Sequence, residues 1–417
     1  MQTKRVVITG IGTINPLGNS VKEFFPNLEK GVRGWEPIEE IDTTLFKTKF
    51  ACRIKDYSPE KFGFDRKEVR KYGKFSQYAL IAAKEAIEDS NLDLASMNLS
   101  RVGVILGSGI GGIYELNQEI MGYVEGGKTP RYSPFLIPGV ITNIAAGNIS
   151  IKYGLKGPNY VVTSACASSL HAINDAYNMI QLGKADVMIT GGTESPISEP
   201  GVGGFGSLMA LSTRNDDYKT ASRPFDKNRD GFVIGEGAGI IILEDYERAV
   251  ARGAKIYAEI TGVGITADAY HITAPQPDGT GASEAMFNAI QEAGLSTKDI
   301  DYINVHGTST TIGDIAELNA IKNVFGEDAY DISISSTKSM TGHLLGAAGA
   351  IETIACIFAI NTSIIPPTIN FSEEDENIDY KLNLTLNKAQ HREVNHALNN
   401  SFGFGGHNCS IVLSKLK

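Results

Sequence analysis

"ISISSTKSMTGHLLGAAGAIETI" (332–354) runs from a β-branched strand through a polar turn into a helix of small residues, and "YVVTSACASSLHAINDA" (160–176) runs the same way. Read together, the two stretches make the chain a duplication. "VVITGIG" (6–12) recurs as "AEITGVG" (258–264), and "VGVILGSG" (102–109) has its counterpart in "IDYINVHGTS" (300–309). "MITGGTES" (188–195) is echoed by "NSFGFGGHN" (400–408), and "GIIILED" (239–245) by "CSIVLSK" (409–415). Each match is weak alone; five in one order mark a repeated unit. The halves divide near residue 255, into 1–255, which carries the insertions and Cys166, and 256–417, which carries His306 and His343.

Within each half, strand-like segments alternate with helical ones, the pattern of an α/β protein with mostly parallel central strands. The predicted helix 167–182 carries a single charge, Asp175, and stops at Gly183; the predicted helix 344–360 carries only Glu352. A helix with no charged face belongs in the interior. Two buried helices between two sheets, with further helices outside, give a five-layered αβαβα sandwich. Residues 61–94 read instead as a basic, exposed start running into an amphipathic helix, and prolines with acidic residues near 366–379 predict a surface loop.

Composition narrows the setting. A chain of 417 residues, 42% hydrophobic and 21% charged, is long enough for more than one packed unit and has ordinary globular proportions. "MQTKRVVITG" has no signal-peptide core, and no apolar run is expected to reach the ~18 residues of a membrane span. Cys52, Cys166, Cys356 and Cys409 show no C-x-x-C spacing, which argues against a disulfide framework and a zinc site and for a reducing cytoplasm. A net charge of −10 speaks against nucleic acid as main partner, while leaving room for a local basic patch.

Cys166 is the first candidate for chemistry. It stands where a strand meets a buried helix, and a helix N-terminus favours thiolate over thiol. The plain alternative is a small apolar side chain filling a core. His306 opens the turn "HGTST" after a strand, and His343 lies where the second half repeats the Cys166 turn. By the duplication, Cys166 and His343 occupy equivalent positions and should face one another.

"TSACASS", "VHGTST", "STKSMTGHLLGAAGAIE", "RPFDKNRDGFVIGEGAG" and "NSFGFGGHN" together resemble the elongating β-ketoacyl-[acyl-carrier-protein] synthases, most closely the synthase II class of bacterial fatty-acid synthesis. The resemblance runs the whole length. It implies a thiolase-like fold, a homodimer and decarboxylative condensation of an acyl chain with malonyl carrier protein, with no metal or organic cofactor. It implies Cys166 as nucleophile, the backbone N–H groups of Cys166 and Phe404 as oxyanion hole, and His306 and His343 as donors to the enolate oxygen. Lys338 would tune the field around His343, tied to Glu352. Gly403 and Gly405 would let the chain approach closely, and Phe404 would gate a tunnel toward Ile110 and Phe205. An acidic acyl carrier protein would dock on Arg66, Lys67, Arg70 and Lys71. Thr311, where many members have proline, and His407, where others have threonine, are departures that leave the chemistry untouched.

Three rivals share some of these residues. "GSGIGG" (107–112) matches G-x-G-x-x-G after an apolar run, so a nicotinamide-binding site is conceivable, though it would leave Cys166, His306 and His343 idle. A thiolase would need a second, late cysteine in a Cys-x-Gly turn; Cys409 is late but is followed by Ser410 and Ile411. A ketosynthase of a polyketide or aryl-polyene pathway would share the same chemistry.

Overall fold

The computed structural model describes residues 3–416. Ten strands share one sheet: β1 (Val6–Ile14), β2 (Val102–Gly107), β3 (Asn159–Val162), β4 (Val187–Glu194), β5 (Gly237–Asp245), β6 (Ala258–Ala267), β7 (Tyr302–Asn304), β8 (Ser333–Ser335), β9 (His396–Gly403) and β10 (His407–Ser414). Their order is β8-β7-β9-β10-β6-β1-β5-β4-β2-β3. Outward from the centre, the first half reads β1-β5-β4-β2-β3 and the second β6-β10-β9-β7-β8, so each strand is matched by the one five places later. Pair directions match too: β2 is parallel to β3 and β4, β7 is parallel to β8 and β9, and the inner pairs are antiparallel. The five sequence echoes map onto these five strand pairs.

Two expectations need correction here. The central strands are antiparallel rather than parallel. The second half shows the cause, because β9 and β10 are joined by three residues, and so short a connection makes a hairpin. The two half-sheets are also hydrogen-bonded into one, where Val6–Ile8 of β1 pairs with Ala258–Ile260 of β6. That joint spans three residues, and the halves fold over it onto a shared helical layer.

The main helices are α1 (Lys74–Ser90), α2 (Ile144–Tyr153), α3 (Ser168–Gln181), α4 (Thr280–Glu292), α5 (Gly313–Phe325) and α6 (Ala348–Thr362). α3 and α6 lie between the half-sheets, with α1 and α2 outside the first and α4 and α5 on the outer side of the second. This is the αβαβα sandwich. Strand periodicity sorts side chains between layers: on β5, Ile240 and Ile242 join the outer core with α1, while Ile241 and Leu243 join the central core. α6 is buried from Ala348 to Ile360 without a break, as a helix apolar all round must be. With the turn before it, Leu345–Thr362 does reach a membrane-spanning 18 residues; it is 89% buried and is the central core helix. α1 is more buried than its basic lead-in suggests, because α2 packs beside it.

Candidate active site

β3 delivers the chain to a tight turn ahead of α3. Ala165 takes φ +50°, a left-handed conformation uncommon for a residue with a Cβ. Hydrogen bonds hold it there: the Ser164 N–H donates to Ser168 Oγ at 2.9 Å, and the Ser168 hydroxyl donates to the Ala165 carbonyl at 2.6 Å. Ser164 Oγ is in turn 2.6 Å from His171 Nδ1 on α3. Cys166 therefore precedes the first helical residue, Ser168, instead of standing in the first turn. Its side chain is 7% exposed, and that exposure faces a cavity.

The second half brings two imidazoles to the same point. His343 Nε2 lies 3.0 Å from Cys166 Sγ. The backbone of His343 is clamped to the "RPFDKNRDGFVIGEGAG" segment, its N–H donating to the Val233 carbonyl (2.7 Å) and its carbonyl accepting from Gly235 (2.9 Å). Phe232 of that segment stacks edge-on against the imidazole, with centroids 5.1 Å apart. The His306 ring meets His343 at 5.3 Å, nearly perpendicular. Its turn is fixed from α5, where Glu317 accepts the N–H groups of His306 (2.8 Å) and Gly307 (2.7 Å). Asp314 likewise accepts the Ser309 N–H at 3.0 Å.

Lys338 and Glu352 form a buried ion pair beneath the histidines. Burial, reinforced by the Lys338 ammonium, holds His343 well below the usual imidazole range; His306 is lowered by the same causes and by His343. Both rings are neutral at physiological pH, each with one N–H to donate. Burial pushes the Cys166 thiol up to about 12, against the opposing pull of Lys338 and of the Phe404 N–H bonded to sulfur. The expected thiolate is thus not the resting state, because desolvation outweighs the helix terminus. Cys166 and His343 rest as a neutral thiol–imidazole pair.

A cavity of about 360 Å³ opens over Cys166, His306 and His343 and is bordered by Phe205, Phe402 and Phe404. Gly403 lies so close to the nucleophile turn that a Cβ would meet the Ser164 carbonyl at 2.7 Å. Beyond Phe404, Gly405 and Gly406 take φ of +89° and +75°, which makes the tight turn to β10 possible. Ile110 does not line this cavity. It packs behind the wall, in an apolar cluster with Phe205, Phe232 and Leu345. Arg66, Lys67, Arg70 and Lys71 lie apart from the cavity, exposed on a short helix capped by Asp65.

Several partners had no signature in the sequence: Glu317, Asp314, and Ser164 with His171. One group of side chains could hold a cation. The Cys166, His306 and His343 ligand atoms lie within 4.8 Å of one another, a soft set. Asn304 Oδ1, Glu352 Oε2 and Asn399 Oδ1 are buried oxygens without a partner among the described residues, and Asn304 and Asn399 are register partners.

Comparison with known proteins fits this geometry. The family model "Beta-ketoacyl synthase, N-terminal domain" matches residues 3–249, and "Beta-ketoacyl synthase, C-terminal domain" matches 257–372. The chain belongs to the β-ketoacyl synthase family. This synthase is 48% identical to the 3-oxoacyl-[acyl-carrier-protein] synthase 2 of Staphylococcus aureus (strain COL) over 416 residues, covering 100% of the chain and 99% of the relative. It is 46% identical to the protein of the same name from Coxiella burnetii (strain RSA 493 / Nine Mile phase I), covering 100% of both. Among solved structures, a β-ketoacyl synthase from Burkholderia phymatum STM815 superposes with a TM-score of 0.91 at 35% identity, covering 99% of this chain and 100% of the other. A type II polyketide ketosynthase, solved with its acyl-carrier protein and bound to a hexaketide, superposes with a TM-score of 0.92 at 35% identity over 100% of both chains.

Proposed function

We propose that this synthase elongates fatty acyl chains by two carbons through decarboxylative Claisen condensation on acyl carrier protein. The observation that carries the reading is the 3.0 Å contact of Cys166 Sγ with His343 Nε2 beneath an open cavity, with His306 alongside. In the first half-reaction the Cys166 sulfur bonds to the acyl carbonyl carbon as its proton leaves by way of His343. The carrier's C–S bond breaks, and the departing thiolate takes the proton. The N–H groups of Cys166 and Phe404 receive the oxyanion. In the second, the malonyl carboxylate leaves as carbon dioxide, and the electron pair of its C–C bond becomes an enolate. The N–H groups of neutral His306 and His343 stabilise that oxygen, and Lys338, neutralised by Glu352, keeps the rings neutral. The enolate carbon attacks the acyl-Cys166 carbonyl, the product keeps the new C–C bond, the Cys166 C–S bond breaks, and the departing thiolate takes one proton from solvent by way of His343 to restore the thiol.

Other parts of the reading rest on resemblance and on particular features. An acyl carrier protein is the partner, docking on Arg66, Lys67, Arg70 and Lys71. The halves 1–255 and 256–417 act as units. The enzyme works as a cytoplasmic homodimer, and edge strand β3, paired on one side only, offers a surface for the second copy. A polyketide ketosynthase is the second reading, favoured by the hexaketide-bound structural relative. A thiolase is disfavoured, because Cys409 is fully buried in β10 and does not line the cavity.

The test is malonyl-carrier decarboxylation and acyl-enzyme formation in His306→Ala and His343→Ala. Decarboxylation falls by the 10²–10³ of a lost oxyanion donor, roughly, while Cys166 acylation suffers less. Variants that decarboxylate normally but fail to acylate would reverse the assignment. Saturated acyl carriers being refused while β-keto chains are accepted would favour the polyketide reading.

A further inference from the structure

The motif "GSGIGG" resembles a phosphate-binding loop, yet its donors are already engaged. Glu194, at the end of β4, is fully buried, and its Oε1 accepts the Ser108 hydroxyl (2.9 Å), the Gly109 N–H and the Ile110 N–H (3.2 Å). A carboxylate from within the chain thus fills the nest that a nucleotide phosphate would need. The same oxygen abuts the turn after His343: a Cβ on Gly346 would lie 2.4 Å from the Gly109 nitrogen and 3.1 Å from Glu194 Oε1. Three segments therefore meet at one carboxylate: the 108–110 loop, the end of β4 and the turn before α6.

What the loop carries gives the arrangement a use. Ile110 is half-buried against Phe205, Phe232 and Leu345. Phe205 and Phe232 border the cavity that holds Cys166, and Phe232 packs on His343. An acyl chain on Cys166 needs apolar room, and this cluster is the apolar wall beside it. Pinned amides on either side of Gly109 leave the Ile110 side chain, and not its backbone N–H, to yield.

We infer that Glu194 is a positioning residue for acyl-chain length: it fixes the backbone of the 108–110 loop, so that Ile110 and its neighbours present a set depth to the chain on Cys166. The inference rests on the condensation reading and on the wall formed by this cluster. An acceptor oxygen is what the loop requires, so Glu194→Gln keeps the loop in place and Glu194→Ala releases it.

The experiment measures acylation of Cys166 by butyryl and by dodecanoyl carrier protein in the wild type, Glu194→Gln, Glu194→Ala and Ser108→Ala, with malonyl-carrier decarboxylation and melting temperature alongside. In Glu194→Ala the ratio of dodecanoyl to butyryl kcat/KM changes by about tenfold or more, as expected when a contact surface shifts by a fraction of an ångström, while butyryl acylation and decarboxylation hold. Ser108→Ala, which removes one of the three donors, moves the ratio the same way by less, and Glu194→Gln restores the wild-type ratio. Should Glu194→Ala not fold, Ser108→Ala and Glu194→Asp carry the comparison. Unchanged ratios in all folded variants overturn the inference, as does a uniform loss for both chain lengths. A wild type that forms no acyl-enzyme would instead defeat the condensation reading.

Discussion

Cys166 Sγ and His343 Nε2 stand 3.0 Å apart in a pocket where burial favours the neutral form of each. The thiol is pushed up to about 12, while the imidazole is held well below its usual range. Proton transfer between them would create two charges in a desolvated site, so it occurs as the acyl carbonyl is attacked and not before. Alkylation of Cys166 by iodoacetamide should therefore rise about tenfold per pH unit from pH 7 to 9, following the thiolate fraction of a high-pKa thiol. A rate already level below pH 7 would indicate a thiolate–imidazolium pair. Cys166 should still be labelled first, because Cys52, Cys356 and Cys409 are fully buried and do not border the cavity.

The Lys338–Glu352 pair should reveal itself in stability. Both side chains are almost fully buried, and Glu352 Oε2 has no other partner among the described residues. Lys338→Met leaves a buried carboxylate uncompensated, at a cost of about 3–5 kcal/mol. Burial already raises Glu352 against the lowering effect of Lys338, and removing the ammonium raises it further. With its folded pKa above its unfolded value, Glu352 is tolerated while protonated in both states. The variant should therefore melt closest to wild type near pH 4, about the unfolded value of a glutamate, and lose stability as pH rises. Adding Glu352→Leu should recover most of the melting temperature without restoring decarboxylation. Equal destabilisation at acidic and neutral pH would show that the lost ion pair is not the cause.

The carrier-docking helix calls for a kinetic test. Arg66, Lys67, Arg70 and Lys71 are exposed, and the Asp65 cap that starts the helix takes only a backbone N–H from them, that of Lys67, and none of their side chains. Reversing all four to glutamate should raise KM for acyl carrier by about tenfold with kcat preserved, since rim charges act mainly on encounter. Added salt should weaken the wild type in the same direction. A constant KM under both treatments would return the segment to an ordinary solvated helix.

How much of this was legible can be traced residue by residue. The five echoes were readable because a strand's two-residue period and a glycine turn survive as pattern, and each maps onto a pair of equivalent strands. Facing positions for Cys166 and His343 followed from the repeat. Strand direction was not readable, since parallel and antiparallel pairing share the same alternation. Glu194 and Glu317 were missed for another reason: a buried carboxylate that accepts backbone N–H groups contacts loops far away in sequence, 84 and 11 residues from Ile110 and His306, and leaves no local spacing. Ile110 was placed against the cavity by resemblance, but an alignment of motifs does not show which side of a wall a side chain occupies.

Phe404 offers the sharpest choice between a moving part and a plug. Its backbone N–H is bonded to the Cys166 sulfur, its ring is half-buried at the cavity, and its centroid lies 6.4 Å from that of Phe205. The left-handed Gly405 and Gly406 after it give the turn conformations that other residues strain to reach, so the loop can rearrange without moving β9 or β10. A half-buried ring on such a turn contributes less to the core than an enclosed one. Phe404→Ala should lower the melting temperature little, alter the acylation rate, and widen the range of acyl chains accepted, as removal of a lid does. The oxyanion donor survives the change because it is backbone, and the enolate oxygen is held by His306 and His343, so decarboxylation of malonyl carrier should persist. A plug would behave in the opposite way, costing about 3–5 kcal/mol on truncation while the acylation rate per folded molecule stayed constant. Measuring both quantities on one preparation decides between them, and a steep loss of stability with unchanged acylation would remove the gate.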